Sequence, residues 1–391
     1  MPFLHSFEPG GVERVAFRLA SAWAAAGCDV RIVMGRPGGA LEIERPDGVE
    51  LLFPARVSRL APRMESLWLV PHLVAMVRRH RPDVLFCAGN TYAIVAVLAR
   101  MLLGRDCPPI VAKVSNSLDR PDFAPPMRGL YRFWLWVQTL FIDRFVGLAE
   151  AMRPEMAASL GVGPERLAVV YDPALSRADI ARAAELAASA PRSGGRLFLG
   201  VGRLVAQKNF ALLIAAFARI AGEGDRLAIV GDGPERARLQ RLAAQLRVAD
   251  RVDLPGHVAD VVPWLARADV FVLSSLYEGV PAAVLEALAV GVPIVATDCC
   301  VSMGELLGGG ALGRLAPSGD VASLAASMDE ATGAAPVAAM RAQAERFTVE
   351  RSGSRYLVVM DQAVADHRRA QVGQGAAGLP RFGRAIAARP D

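Results

Sequence analysis

The stretch Val270-Phe271-Val272-Leu273-Ser274-Ser275-Leu276-Tyr277-Glu278-Gly279-Val280-Pro281-Ala282-Ala283-Val284-Leu285-Glu286 decides the fold. Val270 to Leu273 is an unbroken apolar run, which reads as a strand buried on both faces, because a strand with one wet face would alternate. Pro281 stands where a helix should begin, since the first helical position has no N–H bond to lose. From there the sequence is almost wholly apolar, with Glu286 set between Leu285 and Ala287-Leu288-Ala289. A buried strand, a polar loop and a buried helix make one unit of a parallel sheet covered on both faces.

The same unit recurs in both directions. Arg196 to Val201, Arg226 to Val230, Val252 to Leu254 and Pro293 to Ala296 read as further strands with helices between them. Upstream, Phe3 to Phe7 reads as a first strand broken by Gly10-Gly11, and Val12, Val15, Ala16, Leu19, Ala20 and Trp23 follow at helical spacing. Strands at Val30–Met34, Asp83–Cys87, Ile110–Val114, Arg144–Leu148 and Leu167–Tyr171 alternate with helices at Ala93–Leu103 and Met127–Ile142. Asp172-Pro173 closes this half, and Ala178 to Gly195 reads as a helix and linker. A last helix is expected from about 350 to 366 and a flexible tail over 367–391. The chain has 391 residues, beyond the ~250–300 at which one core stops growing. The expectation is two doubly wound α/β domains, 1–175 and 195–349, with the last helix packed back on the first.

Composition narrows the function. With 53% apolar and 21% charged residues the chain is globular. Its net charge of +5 comes without a Lys-rich block or nucleic-acid motif, so no nucleic-acid partner is expected. The five cysteines have no metal-ligand spacing, which fits a reducing compartment and core packing. Residues 1–7 lack the pattern of a signal peptide, and no apolar run is long enough to span a bilayer. A cytoplasmic protein is the expectation.

Three loops carry chemistry. Glu278 and Glu286 would meet in one cleft, one from the loop and one from the helix, with the amides of Gly279 and Val280 facing the same space. Carboxylates there can accept hydrogen bonds from sugar and ribose hydroxyls. Taken singly, Glu278 also reads as an acid favouring the helix dipole and Glu286 as a solvated residue, although a carboxylate in so apolar a helix is costly without a partner. The second loop is Gly202-Arg203-Leu204-Val205-Ala206-Gln207-Lys208-Asn209, after a strand and before a helix. Two cations at that place suit a diphosphate. The third, Pro9-Gly10-Gly11-Val12-Glu13, would let backbone amides approach a phosphate, and by itself reads as an ordinary turn.

An acid pair separated by seven residues, with Gly and Pro after the first acid, resembles the signature of retaining GT-B glycosyltransferases. From Gly10 to about Ala365 the chain is similar to family 4, the group 1 glycosyltransferases. The resemblance implies a GT-B fold, two Rossmann-like parallel-sheet domains facing across a cleft. It implies that Glu286 holds the ribose of a nucleotide sugar, and that Glu278, Gly279, Val280 and Pro281 hold the transferred sugar. Arg203 and Lys208 would neutralise the leaving diphosphate, with Gly10, Gly11 and Gly202 close to it. His257 and Val258, after Gly256, would lie at the base. Asp172-Pro173 resembles the Asn-Pro that ends the first domain in this family. Where many members carry a His facing the donor sugar, this chain has Ser115-Asn116-Ser117-Leu118-Asp119. Asn116 or Ser117 would take its place on the acceptor side, with Asp119 a solvated alternative. Neither metal nor cofactor is expected.

The basic and aromatic stretches add an acceptor clue. Arg56, Arg59, Arg63, Arg78, Arg79 and Arg81 accompany Leu67, Trp68, Leu69, Val70 and Leu73, and Phe133, Trp134, Trp136 and Phe141 form a second cluster. These read either as core aromatics under a solvated arginine face or as a surface that docks on an anionic membrane. The resulting expectation is a hexosyltransferase moving sugar from a nucleotide-diphosphate sugar to a glycan or lipid-linked acceptor, in surface polysaccharide or glycolipid synthesis. The alternatives are a degenerate nucleotide-sugar-binding protein or a related GT-B phosphorylase or epimerase.

Overall fold

The computed structural model describes residues 1–7, 11–39, 41–42, 45–55, 65–116, 118, 123–191, 194–331 and 336–376. Strands β1 (Phe3–Leu4), β2 (Arg31–Met34) and β3 (Glu50–Leu52) form one parallel sheet, and β4 (Leu85–Cys87), β5 (Ile110–Lys113), β6 (Arg144–Gly147) and β7 (Leu167–Val169) another. Pro2 bridges to Phe86, so the two sheets run on with the order β3-β2-β1-β4-β5-β6-β7. Helices α1 (Gly11–Ala25), α2 (Glu65–His80), α3 (Ala93–Leu103), α4 (Pro125–Phe141) and α5 (Arg153–Leu160) make the crossovers.

The second half repeats the plan. Its strands are β8 (Leu197–Val201), β9 (Arg226–Val230), β10 (Val252–Gly256), β11 (Val270–Leu273), β12 (Ile294–Thr297) and β13 (Arg314–Ala316). All pair in parallel in the order β10-β9-β8-β11-β12-β13. Its helices are α6 (Arg177–Ser189), α7 (Phe210–Ile220), α8 (Arg236–Gln245), α9 (Val262–Arg267), α10 (Ala282–Val290), α11 (Met303–Leu306), α12 (Val321–Glu330) and α13 (Val337–Glu345). In both halves the order reverses between the first and fourth strands. Loops leaving such neighbouring strands diverge to opposite faces and open a crevice at their carboxyl ends.

Several elements differ from the reading of the sequence. The first strand is Phe3–Leu4 and stops short of Phe7. Strands β3 and β13 were not expected; β3 has no fully buried residue, and each is only three residues long. Helix α2 is a further element absent from the sequence reading, its helical period interrupted by Pro71. Pro281 sits one residue ahead of α10, at its N-cap. The helix expected after Ala178 is Arg177–Ser189, and its Ile180 and Ala183 are buried in the second core. Of the cysteines, Cys28 is exposed and does not pack in a core.

The last helix, α14 (Val349–Ala376), extends well past the expected end and takes in the start of the supposed tail. Its first part returns to the first core: Trp23 stacks edge-on against Phe86 and Tyr356, and Trp23 Nε1 donates to Gly353 O at 3.1 Å. A Cβ at Gly353 would stand 3.2 Å from Ala22 Cβ, so glycine permits the close crossing of α1 and α14. Its distal part is held by charge, through Arg144–Asp366 and Arg368–Asp83. Apolar periodicity does not register such contacts. Between the two halves Glu305 of α11 accepts from Tyr171 Oη at 2.5 Å and from Ala151 N at 3.2 Å. Among the described residues no helix is long and apolar enough to cross a membrane.

Candidate active site

The crevice of the second sheet is built by the loops after β8 and β11, strands paired side by side. Gly202 turns the chain out of β8 with φ of 151°, and a Cβ there would stand 3.1 Å from Lys208 Cε. Glycine thus lets the Lys208 stem lie along the backbone. Lys208 ends a short 3-10 turn (Ala206–Lys208), and Asn209 follows in the left-handed region before α7. The two loops are stitched together: Leu276 N donates to Gln207 O at 2.8 Å, Gln207 Nε2 to Tyr277 O at 2.9 Å, and Ser274 Oγ to Lys208 O at 2.9 Å.

That scaffold brings Lys208 Nζ to 2.6 Å from Glu278 Oε1, and Ser275 Oγ donates to the same oxygen at 2.7 Å. Glu278 is held from behind as well, its amide donating to Cys299 O at 3.3 Å. The Gly279 carbonyl accepts from Ser302 Oγ at 2.9 Å. Arg203, by contrast, is exposed on the same loop.

Glu286 lies one turn into α10 and is half-buried. Among the described residues it has no hydrogen-bond or ion-pair partner. Burial pushes its carboxyl up to about 7, although Arg18 and Arg14 of α1, in the other domain, pull it down. A half-buried acid without a partner, facing cations across a cleft, is placed to accept hydroxyl donors.

The first domain meets this loop directly. A Cβ on Gly279 would stand 2.5 Å from Ser115 O and 3.3 Å from Asn116 Oδ1. Val280 packs against both cores. The Ser115 amide donates to Asn90 Oδ1 at 3.0 Å, while Ser115 Oγ is buried without a partner among the described residues. Asn116 is exposed beside it. Tyr92 Oη donates to Glu13 Oε1 at 2.7 Å and the His5 ring stacks on Tyr92 at 4.5 Å, which ties the start of α1 to the segment before α3.

Other expected site residues are placed less centrally. Gly11 opens α1 with free space around it. His257 is exposed after the Gly256 turn, and Val258 packs on the second core. Pro281 is buried at the head of α10. Gly10, Ser117 and Asp119 lie outside the described residues. Lys113 is buried and pairs with Asp172 at 2.7 Å, so it ties β5 to the exit of the first domain. No group of side chains among the described residues could hold a metal ion. Sequence reading missed Ser115 and Ser275, two small hydroxyls whose proximity to Gly279 and Glu278 has no sequence signal.

Two family models match the chain in succession: Glycosyltransferase Family 4 over residues 9–173 and Glycosyl transferases group 1 over residues 195–332. The chain belongs to the group 1 glycosyltransferases. Among curated relatives of this family member, the lipopolysaccharide core biosynthesis glycosyltransferase LpsE of Rhizobium meliloti is 43% identical over 25% of this chain and 28% of its own. The glycogen synthase of Mycobacterium tuberculosis is 28% identical over 86% of each chain. The first curated relatives are matched over less than half of their own length. The crystal structure of Anabaena HepE in complex with UDP and glucose superposes with a TM-score of 0.70 at 20% identity, over 92% of this chain and 98% of that one. At that identity the likeness concerns the GT-B fold.

Proposed function

We propose that this group 1 glycosyltransferase moves a sugar from a nucleotide-diphosphate sugar to a glycan or lipid-linked acceptor, with retention at the anomeric carbon, in surface polysaccharide or glycolipid synthesis. The observation that carries this reading is the Lys208–Glu278 pair at 2.6 Å, at the switch point of the second sheet and beside the exposed Arg203. Fold-level support comes from HepE, which was crystallised with UDP and glucose, and the named relatives include proteins of lipopolysaccharide and polysaccharide biosynthesis.

On donor binding, Lys208 exchanges its carboxylate for the diphosphate and Glu278 turns to the sugar hydroxyls. Glu286 accepts from the ribose. The base rests near His257 and Val258. The bond from the anomeric carbon to the phosphate oxygen breaks, Arg203 and Lys208 neutralise the charge left on the diphosphate, and the acceptor oxygen attacks from the same face. The departing phosphate oxygen takes the acceptor proton, so a protein base is not required where the family commonly has His. Ser115 and Asn116 line the sugar from the first domain. Two cations do the work a divalent ion would otherwise do, and no cofactor is involved. A phosphorylase using pyridoxal phosphate would need a free lysine; Lys113 and Lys208, the chain's two lysines, are both paired with acids.

The test is a panel of nucleotide diphosphates and nucleotide sugars, in EDTA, read by thermal shift and then by transfer assays on the wild-type protein and Lys208→Ala. One nucleotide sugar that raises Tm in the wild type alone supports the donor site. A folded protein that responds to none of them overturns the donor site, and one that binds a nucleotide sugar but transfers nothing is the degenerate nucleotide-sugar-binding protein.

A further inference from the structure

Helix α4 presents an unusual outward face. Met127, Leu130, Phe133, Trp136 and Leu140 are each 53–62% exposed, while Leu135 and Gln138 on the inner side are buried. The Phe133 and Trp136 rings lie together at 5.6 Å. Leu130, Phe133, Trp136 and Leu140 fall within about 120° of one another on one side of the helix, opposite Leu135, in a stripe of about 15 Å at 1.5 Å per residue; Met127 projects elsewhere from the first turn. A water-facing helix normally shows charges there. This one contains no Asp or Glu at all, and Arg132 is exposed at the edge of the stripe.

Charge gathers where the stripe ends. Leu140 borders a cavity of about 720 Å³ whose rim carries Arg100, Arg105, Arg144 and Arg166 together with Asp143, Glu165 and Asp366. Arg100 and Arg144 are paired with Asp143 and Asp366. Arg105 is exposed and has no ion-pair partner among the described residues. At its other end α4 follows the loop of Ser115 and Asn116, which touches Gly279 across the cleft.

We propose that the outward face of α4 docks the protein on an anionic membrane surface, with Phe133, Trp136 and Leu130 among the acyl chains and Arg105 and Arg132 at lipid phosphates. Aromatic and aliphatic side chains on one face with cations at its margins are the composition of a helix lying in the headgroup boundary. A second copy of the chain fits less well. The four side chains of this face offer on the order of 500 Å² at their exposure, short of the ~800 Å² per partner of a stable interface. The acceptor then follows, and this step rests on the transferase reading: a lipid-linked acceptor anchored in the same leaflet would reach the cleft along the 115–116 loop.

The experiment is sedimentation of the full chain with vesicles of phosphatidylcholine alone and with added phosphatidylglycerol, without donor or acceptor. Wild type, Phe133→Ser/Trp136→Ser and Arg105→Ala/Arg132→Ala are compared, with Tm as the folding control. The expected result is binding to the anionic vesicles with a blue-shifted tryptophan emission, at least about tenfold weaker in the Phe133→Ser/Trp136→Ser variant. The arginine variant should bind a few-fold more weakly and lose the preference for anionic lipid. Absence of anionic-vesicle binding by the wild type, or equal binding by the Phe133→Ser/Trp136→Ser variant, overturns the proposal. So does a wild-type dimer that this variant converts to monomer without any vesicle binding, which would give the face to a second copy. Because donor and acceptor are left out, failure here and failure of the transfer reaction are read separately.

Discussion

Gly279 and Ser115 touch across the cleft so closely that a Cβ on Gly279 would stand 2.5 Å from the Ser115 carbonyl oxygen. The neighbour is backbone, which cannot rotate away. The 115–116 loop of the first domain thus packs directly on the loop that carries Glu278. Gly279→Ala must push the 115–116 loop away and hold the cleft ajar. Transfer is expected to fall roughly 10²-fold, with nucleotide diphosphate affinity changed only a few-fold. Calorimetric titration beside initial rates measures both. Equal losses in the two would place Gly279 on the donor side alone.

Lys208→Ala leaves the Glu278 carboxylate inside the site without its cation. Donor affinity or turnover should drop about 10²–10³-fold, and stability at pH 7 should fall by about 1–3 kcal/mol. The double variant Lys208→Ala/Glu278→Gln removes the stranded charge. It should regain most of the stability and none of the donor affinity. Denaturant titration and donor binding on the three proteins decide it; recovery of both would mean that the lysine acts only by neutralising Glu278.

Burial raises the Glu286 carboxyl to about 7. The folded state therefore holds this proton more tightly than the unfolded chain, and stability is lost as pH climbs from the ordinary glutamate range through 7. Glu286→Gln should accordingly raise Tm at pH 8 and leave it nearly unchanged at pH 5. Nucleotide-sugar affinity behaves oppositely, since ribose hydroxyls need the ionised form: it should rise between pH 6 and 8 in the wild type and be weak and flat in the variant. A pH-independent affinity in the wild type would remove Glu286 from the ribose site.

Tyr356 is fully buried between Trp23 and Phe86, and its hydroxyl has no partner among the described residues. Tyr356→Phe deletes a desolvated polar group and keeps the ring contacts. Thermal melting should show Tm unchanged or raised, by up to about 1–2 kcal/mol in stability. A clear drop would reveal a hydrogen bond at that oxygen.

How much of this was legible beforehand differs by element. Buried strands such as β11, with four consecutive apolar residues, and β12, with three before Thr297, carry their signal within a window of that size. Glu286 stood out for the same reason, as an acid set in an apolar helix. Strand β3, with no fully buried residue, and α2, interrupted by Pro71, lack a clean period, and their place depends on neighbours distant in the chain. The exposure of Phe133 and Trp136 was undecidable from the sequence, because an aromatic at helical spacing reads the same whether the far side is protein or solvent.

The sequence by itself determined the two doubly wound halves, the polar loops at their strand ends and the residue types that serve a diphosphate and a sugar. Those follow from local periodicity, helix-start chemistry and charge in an apolar setting, all of them properties of short windows. Only the tertiary structure decided that Lys208 pairs with Glu278 seventy residues away, that Ser115 meets Gly279 across the cleft, and that α14 returns to Trp23. Those contacts exist because parallel sheets bring distant loops to one edge, and the long-range packing that sets the partner leaves no mark on either residue's own neighbourhood in the chain.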